Sequence, residues 1–217
     1  MKKTFLTSLS LGIFILVLAC STTTKTKQTI VEDKTVYGPT VKAYFASGCF
    51  WCVEAIFESL KGVKEATSGY SGGHTKNPTY EDVNTELTGH AESVEVIYDP
   101  QIISYETLLK VYFASQDPTQ VKGQGPDHGD SYRSIIFYQN ETEKTLAENY
   151  KKQLNESGKY KKPIAVEIVP FKIFWKAEDY HQDYERNHPE NPYVQNVSIP
   201  RINRMKAQFP ELLKKGH

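Results

Sequence analysis

The sequence has few cysteines and no excess of charge of either sign. Its 217 residues include three cysteines, and 26 Lys and Arg residues balance 26 Asp and Glu residues. A balanced charge without a basic stripe lacks the electrostatic footprint of nucleic-acid binding, so we expect no nucleic-acid partner. A chain of this length buries about 70% of its unfolded surface, so it needs neither a disulfide framework nor a structural metal. Each cysteine therefore requires its own explanation.

The sequence also lacks an apolar run long enough to span a bilayer. The apolar segment 5–19 is shorter than the roughly 18 to 20 residues that a span requires. It follows two lysines and ends at the sequence VLAC, residues 17–20, which is typical of a secretory signal. This tetrapeptide resembles a bacterial lipobox, which implies cleavage before Cys20 and a diacylglycerol thioether on its sulfur. The alternative is an ordinary signal peptide in which Cys20 is incidental.

These features predict three parts of the chain. Residues 1–19 are a lipoprotein signal peptide, and residues 20–35, rich in Thr and Lys and poor in apolar residues, are a flexible tether. The folded domain comprises residues 36–217. With either kind of signal the mature protein is exported, and the lipid would anchor it to a bacterial membrane in the cell envelope.

The domain shows alternating signals for strands and helices. The patterns predict strands over 41–46, 63–70, 93–98 and 134–138, and helices over 50–60 and 104–114. The order β-α-β-β-α-β is that of the split βαβ, so we predict an α+β fold, a ferredoxin-like two-layer sandwich. Beyond it we expect additional helices over 141–154, 177–186 and 202–214, a strand over 165–169, and an irregular C-terminal region.

Two long segments, 72–90 and 117–132, lack clear periodicity. Loops of this length in a compact domain are usually functional or disordered. Both are dense in Tyr, His, Asp and Glu, which favours function. They contain His90 and His128, but structural histidines fit these positions equally well, so we assign them no chemistry.

Cys49 and Cys52 form a Cys-x-x-Cys pair where a helix is predicted to begin. Free N–H groups and the helix dipole would stabilise a thiolate on Cys49, with Cys52 one turn on and within reach for a disulfide. In an oxidising compartment such a pair indicates a redox dithiol. The alternatives are a zinc half-site, which lacks a second ligand pair, and a static disulfide. Phe50 and Trp51 are either core aromatics or an apolar wall that suits a methyl-thio group.

Six ordered sequence blocks carry a resemblance to a known family. They are GCFWC (48–52), GYSGG (69–73), NPTY (77–80), TGHAE (88–92), DHGDSYR (127–133) and AEDYHQDY (177–184). Together they resemble the A-type peptide methionine sulfoxide reductases, and the first block resembles the Gly-Cys-Phe-Trp-Cys subtype. The similarity extends over residues 41–193, so the folded domain is expected to be a methionine sulfoxide reductase domain.

The resemblance implies a mechanism for reducing methionine S-sulfoxide, free or in proteins, as repair of oxidised proteins. The Cys49 thiolate would attack the sulfoxide sulfur and become a sulfenic acid. Glu92 would be the general acid, and Tyr80 and Tyr132 would donate hydrogen bonds to the sulfoxide oxygen. Asp127 would shape and polarise the pocket.

The same resemblance assigns the remaining roles. Phe50 and Trp51 would hold the S-methyl group, and His181 would support the pocket. Cys52 would close a disulfide with Cys49, because no cysteine follows it in the chain. A thioredoxin-like dithiol would reopen this disulfide. We therefore expect no bound cofactor, no metal, and a monomer.

Two other functions stay open at this point. A Cys-x-x-Cys pair in an exported protein also fits a general disulfide oxidoreductase, and an aromatic pocket fits a binding module for a Met-like ligand. Other charged positions have simpler interpretations. Glu54 would complement the positive end of its helix. The run Asp179, His181, Asp183 and Glu185 would most simply be the solvated face of a helix.

Overall fold

The structure, a computed structural model, describes residues 36–216. The predicted signal peptide (1–19), Cys20 and the tether (20–35) lie outside the described residues. Within residues 36–216, no helix is both long enough and apolar enough to cross a membrane.

Eight strands and six α-helices are found in residues 36–216. They are β1 (Val41–Ala46), α1 (Phe50–Glu58), β2 (Val63–Ser71), α2 (Tyr80–Asn84), β3 (Ala91–Tyr98), α3 (Tyr105–Ala114), β4 (Gly123–Gln124), β5 (Asp127–His128), β6 (Ile135–Tyr138), α4 (Glu141–Glu156), β7 (Glu167–Pro170), β8 (Phe174–Lys176), α5 (Tyr184–Asn187) and α6 (Ile199–Gln208). Short 3-10 turns occur at Asp130–Tyr132, Asp179–His181 and Pro210–Leu212, and a π-helical segment, Val194–Ser198, leads into α6.

Six of the strands form one mixed sheet in the order β7-β6-β1-β3-β2-β8. Strand β1 is antiparallel to both β3 and β6, and β2 is antiparallel to β3. Strand β7 runs parallel to β6 at one edge, and β8 is antiparallel to β2 at the other. The fold is therefore a mixed α/β fold with β1 and β3 at the centre of the sheet.

Alternate residues of β1 face two separate hydrophobic clusters. Ala43 and Phe45 belong to the main core, where the Phe45 ring stacks on Phe57 of α1 with 5.0 Å between ring centroids. Tyr44 faces the other side of the sheet and stacks on Phe171 at 3.8 Å. Because side chains of a strand alternate between faces, the central strand is buried on both sides.

Local signals located most of these elements. The strand predicted over 41–46 is confirmed, and the helix predicted over 104–114 begins after Ser104, whose hydroxyl accepts the N–H of Thr107 as expected of an N-cap. The strand predicted over 165–169 is shifted to Glu167–Pro170. Strand β8 was not predicted.

The helix predicted over 177–186 is wrong. Asp183 has a left-handed backbone (φ 54), which separates a 3-10 turn from the single-turn helix α5. The interpretation of this run as a solvated face is also wrong, since the side chain of His181 is only 1% exposed. The backbone N–H of Asp183 donates to buried Glu54, so a tertiary contact stabilises this break.

The terminal helix lies earlier than the predicted range 202–214. It begins at Ile199 with Pro200 in its first turn, a position where the missing proline N–H costs nothing. It ends at Gln208, two residues before Pro210, whose ring disfavours helical backbone in the residue before it.

Candidate active site

Cys49 lies in the short connection between β1 and α1. It occupies the N-cap position of α1 and is 7% exposed. Gly48 precedes it with φ +67, and a Cβ there would lie 2.6 Å from the Cβ of Gln124. The N–H of Gly48 donates to the carbonyl of Tyr132 at 3.2 Å. A glycine is therefore required to bring the first cysteine against the loop that carries Tyr132.

The two thiols are free and buried together. The side chains of Cys49, at the N-cap, and Cys52, in the first turn of α1, lie close enough for Cys52 to affect the pKa of Cys49. Burial and the contact with Cys52 raise the pKa of Cys49, against the smaller lowering effect of the Trp51 N–H. The expectation of a Cys49 thiolate stabilised by the helix N-terminus alone is therefore corrected: in the free protein desolvation outweighs the helix.

Glu92 enters the same space from β3. Its side chain is 2% exposed, and its Oε2 accepts the N–H of Phe50 at 2.9 Å. Burial raises the pKa of Glu92 to about 8, and the nearby charges of Asp127 and Cys52 act in the same direction. The carboxyl group is thus protonated at neutral pH and can donate a proton beside Cys49.

Two phenols complete the polar side of the site. Tyr80 begins α2, which Thr79 caps, and its hydroxyl lies close enough to that of Tyr132 for Tyr132 to affect its pKa. Tyr132 ends the turn after Ser131, whose N–H and hydroxyl both donate to Glu86. Burial raises the pKa of both phenols, so they remain hydrogen-bond donors.

Aromatic rings form the apolar side of the site. The Phe50 ring is buried and lies 6.4 Å from that of Tyr80 and 4.8 Å from that of His181. Trp51 is half-buried and stacks on Tyr184 with 3.7 Å between ring centroids and 7° between planes. Phe50 is thus both a core residue and part of the wall, while Trp51 is held at the surface of the site.

His181 holds the Trp51 ring of this apolar side in place. Its Nδ1 accepts the indole N–H of Trp51 at 3.1 Å, so the neutral ring carries its proton on Nε2. Burial lowers the pKa of His181, which keeps the ring neutral. Glu178 accepts the N–H of Tyr80 and the hydroxyl of Tyr70, both at 2.9 Å. The 178–181 turn therefore ties α2, β2 and Trp51 together.

Asp127 lies on the side of the site that opens to solvent. Its Oδ2 accepts the hydroxyl of Tyr193 at 2.5 Å, and burial raises its pKa. Both residues and Arg201 line a cavity of 670 Å³. The Tyr193 ring also meets the edge of Trp51 at 6.1 Å.

The surroundings of Cys52 come from the C-terminal segment. The Sγ of Cys52 lies 2.9 Å from the hydroxyl of Ser198, and the Arg201 guanidinium is close enough to act on the thiol. Sequence reasoning missed five residues near the site: Tyr184, Glu185, Tyr193, Ser198 and Arg201. No local signal identified Arg201, since the predicted terminal helix began only at residue 202, whereas the observed helix α6 includes Arg201.

Three other groups singled out in the sequence lie outside this chemistry. Both ring nitrogens of His90 are engaged by backbone, Nδ1 by the Gly73 N–H and Nε2 by the Thr75 carbonyl, whereas His128 is exposed. Glu54 does not complement the helix end: it is buried and accepts the hydroxyl of Ser68 and the Asp183 N–H.

One cluster in the described part of the chain has the spacing of metal ligands. It comprises Glu54, Glu58 and Asp183. Arg186 is paired with both Glu58 and Asp183, so a positive charge already lies beside two of the three carboxyl groups. We assign no metal to it.

Comparisons with known proteins agree with this geometry. The family described as peptide methionine sulfoxide reductase matches residues 41–213. The peptide methionine sulfoxide reductase MsrA of Picrophilus torridus is 48% identical over 166 residues, which is 76% of this chain and 93% of the relative. MsrA 2 of Staphylococcus aureus is 50% identical over 151 residues, covering 70% of this chain and 85% of the relative.

Solved structures agree with the sequence relatives. Methionine sulfoxide reductase A of Corynebacterium diphtheriae superposes with a TM-score of 0.63 at 33% identity, covering 72% of this chain and 80% of that one. Reduced Mxr1 of Saccharomyces cerevisiae superposes with a TM-score of 0.65 at 29% identity, covering 73% and 92%. The chain therefore belongs to the peptide methionine sulfoxide reductase family, and its activity is the reduction of methionine sulfoxide.

Proposed function

We propose that this chain reduces the S epimer of methionine sulfoxide, free or in proteins, through a sulfenic acid on Cys49. The observation that carries the proposal is the buried Glu92 carboxyl group beside the Cys49 thiol. It binds the Phe50 N–H, and its pKa is raised to about 8 by burial. A thiol and a protonated carboxyl in one pocket are the nucleophile and the acid that sulfoxide reduction requires.

The proposed steps follow from these contacts. The sulfoxide oxygen lies against Tyr80, Tyr132 and Glu92, while Phe50 and Trp51 hold the S-methyl group. Cys49 attacks the sulfoxide sulfur, the oxygen takes the Glu92 proton, and methionine leaves with Cys49 as a sulfenic acid. Asp127 shapes and polarises the pocket from the side of Tyr193.

Recycling is proposed to use Cys52 and an external dithiol. Condensation of Cys52 with the sulfenic acid gives a Cys49–Cys52 disulfide and water. A thioredoxin-like protein then reopens it by thiol–disulfide exchange, so the enzyme binds no cofactor of its own. The proximity of the two thiols supports this pairing, which is that of the Gly-Cys-Phe-Trp-Cys subtype.

The epimers of a methionine sulfoxide peptide provide the test of this proposal. With dithiothreitol as reductant, we expect the protein to consume the S epimer and leave the R epimer, because one fixed pocket accommodates one handedness at sulfur. Chromatography of each separated epimer measures this. Consumption of both, or of R alone, would contradict the assigned handedness. Rapid insulin reduction without sulfoxide turnover would instead favour a general disulfide oxidoreductase.

Replacing Cys52 with Ser tests its resolving role. We expect Cys52→Ser to form about one methionine per chain and then stop when thioredoxin is the reductant, because no disulfide can form for thioredoxin to open. Quenched-flow counting of methionine against enzyme measures the burst. Sustained cycling at the wild-type rate would contradict this role.

We also propose the extent of the folded domain and the location of the protein in the cell. Residues 36–217 would be the reductase domain, monomeric, with a ferredoxin-like unit formed by β1, α1, β2, β3, α3 and β6; the strand order β6-β1-β3-β2 supports that unit. Residues 1–19 would be removed, and Cys20 would carry the lipid that anchors an exported protein through the 20–35 tether. Mass spectrometry of the N-terminal peptide from the membrane fraction tests this, since an unmodified Cys20 there would exclude the anchor.

A further inference from the structure

The thiol of Cys52 lies against the N-terminal end of α6. Its Sγ is 2.9 Å from the hydroxyl oxygen of Ser198, and both residues are buried, Cys52 at 1% and Ser198 at 0% exposure. A hydroxyl at this distance either accepts the thiol proton or donates its own proton to a thiolate. The charges around the pair decide between these two states.

Arg201 brings a buried positive charge to the same region. It follows Ser198 by three residues, so the two share one face of the helix. Arg201 is 6% exposed, and its guanidinium donates to the carbonyl of Ser115 at 2.8 Å and to the carbonyl and hydroxyl of Ser47 at 2.9 and 2.8 Å. Its Nη1 would lie 3.7 Å from a Cβ added to Gly48. The guanidinium therefore contacts the turn that leads into α1.

These contacts leave the charge of Arg201 without an anion. All three acceptors are neutral, and a buried cation that lacks an anionic neighbour is strongly unfavourable. A thiolate on Cys52 supplies such an anion, and the Ser198 hydroxyl then donates to it. The start of α6 thus contacts both ends of the segment that carries the dithiol, Ser47 through Arg201 and Cys52 through Ser198.

The proton equilibria agree with a thiolate on Cys52. Neighbouring Cys49, followed by Arg201 and Ser198, lowers the pKa of Cys52 to about 6, against the raising effect of burial. Burial raises the pKa of Glu185 to about 8, so this neighbour is uncharged at neutral pH. The titratable and charged groups that act on Cys52 are Cys49, Glu92, Asp127, Glu185, Tyr193 and Arg201.

We propose that Ser198 and Arg201 hold the Cys52 sulfur as a thiolate for disulfide closure, Ser198 as its hydrogen-bond donor and Arg201 as a positioning residue that supplies the positive charge. This rests on the proposed function, because closure requires a sulfenic acid at Cys49. The resemblance assigns closure to Cys52 but names no residue that assists it. With these two residues in place, no separate base has to activate Cys52.

The closing step balances without a proton from Cys52. The Sγ of Cys52 donates its electron pair to the Sγ of Cys49, so an S–S bond forms and the S–O bond of the sulfenic acid breaks. The leaving oxygen takes a proton from Glu92, which solvent has reprotonated, and departs as water. The Cys52 sulfur is oxidised and the Cys49 sulfur is reduced.

Ultraviolet absorbance of thiolates in the reduced full-length chain tests the ionisation directly. We expect wild type to show a thiolate that forms with a midpoint near pH 6 and that Cys52→Ser lacks. Ser198→Ala should raise this midpoint by about one to two pH units, because the thiolate loses a hydrogen bond. The matched control is Ser59→Ala, which removes an equally buried hydroxyl bonded to the Ile56 carbonyl and should leave the midpoint unchanged. An unchanged midpoint in Ser198→Ala would overturn the proposal, as would a low midpoint that persists in Cys52→Ser.

The rate of closure tests the consequence for the reaction. Reduced protein is mixed with one equivalent of the S-sulfoxide peptide, and quenched samples are analysed for methionine, for free thiols, and for dimedone-trapped sulfenic acid at Cys49. In Ser198→Ala the ratio of the closure rate to the methionine-forming rate should fall by about 10- to 100-fold below the midpoint and recover above it. Slowing by the same factor at every pH would indicate a merely structural role and would overturn the proposal. Absence of methionine from wild type would instead contradict the proposed function.

Two replacements of Arg201 separate its charge from its hydrogen bonds. Arg201→Lys keeps the charge and loses the planar fork, whereas Arg201→Gln loses both. We expect the Cys52 midpoint of Arg201→Lys to lie closer to wild type than that of Arg201→Gln. Circular dichroism melting shows whether each variant is folded, and if Arg201→Gln does not fold, Ser198→Ala decides the proposal by itself. Equal midpoints in two folded variants would overturn the role of the charge.

Discussion

Cys49→Ser is expected to lose methionine sulfoxide turnover by a factor on the order of 10⁴ or more, because no other side chain at the site replaces its nucleophilic sulfur. A serine hydroxyl fills the same N-cap position, and the aromatic wall of Phe50 and Trp51 is untouched. Substrate affinity should therefore stay close to the wild-type value. Turnover with dithiothreitol and calorimetric titration with the S-sulfoxide peptide measure the two quantities.

The matched control for this variant is Cys52→Ser, which makes the same replacement of sulfur by oxygen one helical turn away. It retains the first turnover, whereas Cys49→Ser has none. Residual multiple turnover in Cys49→Ser would transfer the nucleophilic role to Cys52. Tight binding with no turnover by the wild-type protein would favour a binding module.

Glu92→Gln is expected to slow the methionine-forming step by about 10²- to 10⁴-fold, because an amide has no proton to give to the sulfoxide oxygen. The wild-type rate should fall as pH rises through about 8, where Glu92 ionises and stops acting as an acid. In Glu92→Gln the rate should no longer fall with pH. It should instead only rise with pH, as Cys49 ionises to the thiolate. Single-turnover methionine formation between pH 6 and 10 measures both profiles.

Glu95→Gln, three residues further along β3, is the control for Glu92→Gln. Glu95 accepts from Lys42 and Tyr44 away from the site, so its loss should leave the rate and its pH profile unchanged. A wild-type profile in Glu92→Gln would contradict the role of Glu92 as the acid.

The raised pKa of Glu92 also makes the stability of the folded protein depend on pH. Its pKa is about 8 in the folded state against an ordinary 4.5, so the folded state binds more protons than the unfolded state between these values. The contribution of Glu92 to stability therefore decreases as pH rises through this window. Glu92→Gln should unfold at a higher temperature than wild type at pH 9, and this difference should shrink towards pH 5.

Local sequence signals account for the placement of the dithiol. A buried strand that ends at a glycine, followed by an amphipathic helix, puts Cys49 at the helix start whatever the rest of the chain does. The spacing of the two cysteines then brings them to successive turns. Both features depend on backbone geometry over fewer than twenty residues, which is why the sequence sufficed.

The aromatic and carboxyl residues that surround the dithiol could be located only from the tertiary structure. Phe50 meets Glu92 from 42 residues away, and Trp51 meets His181 from 130 residues away. Only the family resemblance placed Glu92, Tyr80, Tyr132 and Asp127 at the site in advance, since nothing in their own periodicity identifies which loop faces which. His181 was additionally placed on a helix that does not form.

The sequence by itself determined that a Cys-x-x-Cys pair stands at the start of a helix, because propensity, capping and spacing act locally, and its family resemblance indicated a redox enzyme. The tertiary structure decided the pKa of Cys49 and which side chains surround the two thiols. Burial raises the pKa of Cys49 and Glu92, and the C-terminal segment brings Glu185, Ser198 and Arg201 to Cys52. Desolvation and contacts across more than a hundred residues arise only when the chain has packed, so no local pattern encodes them.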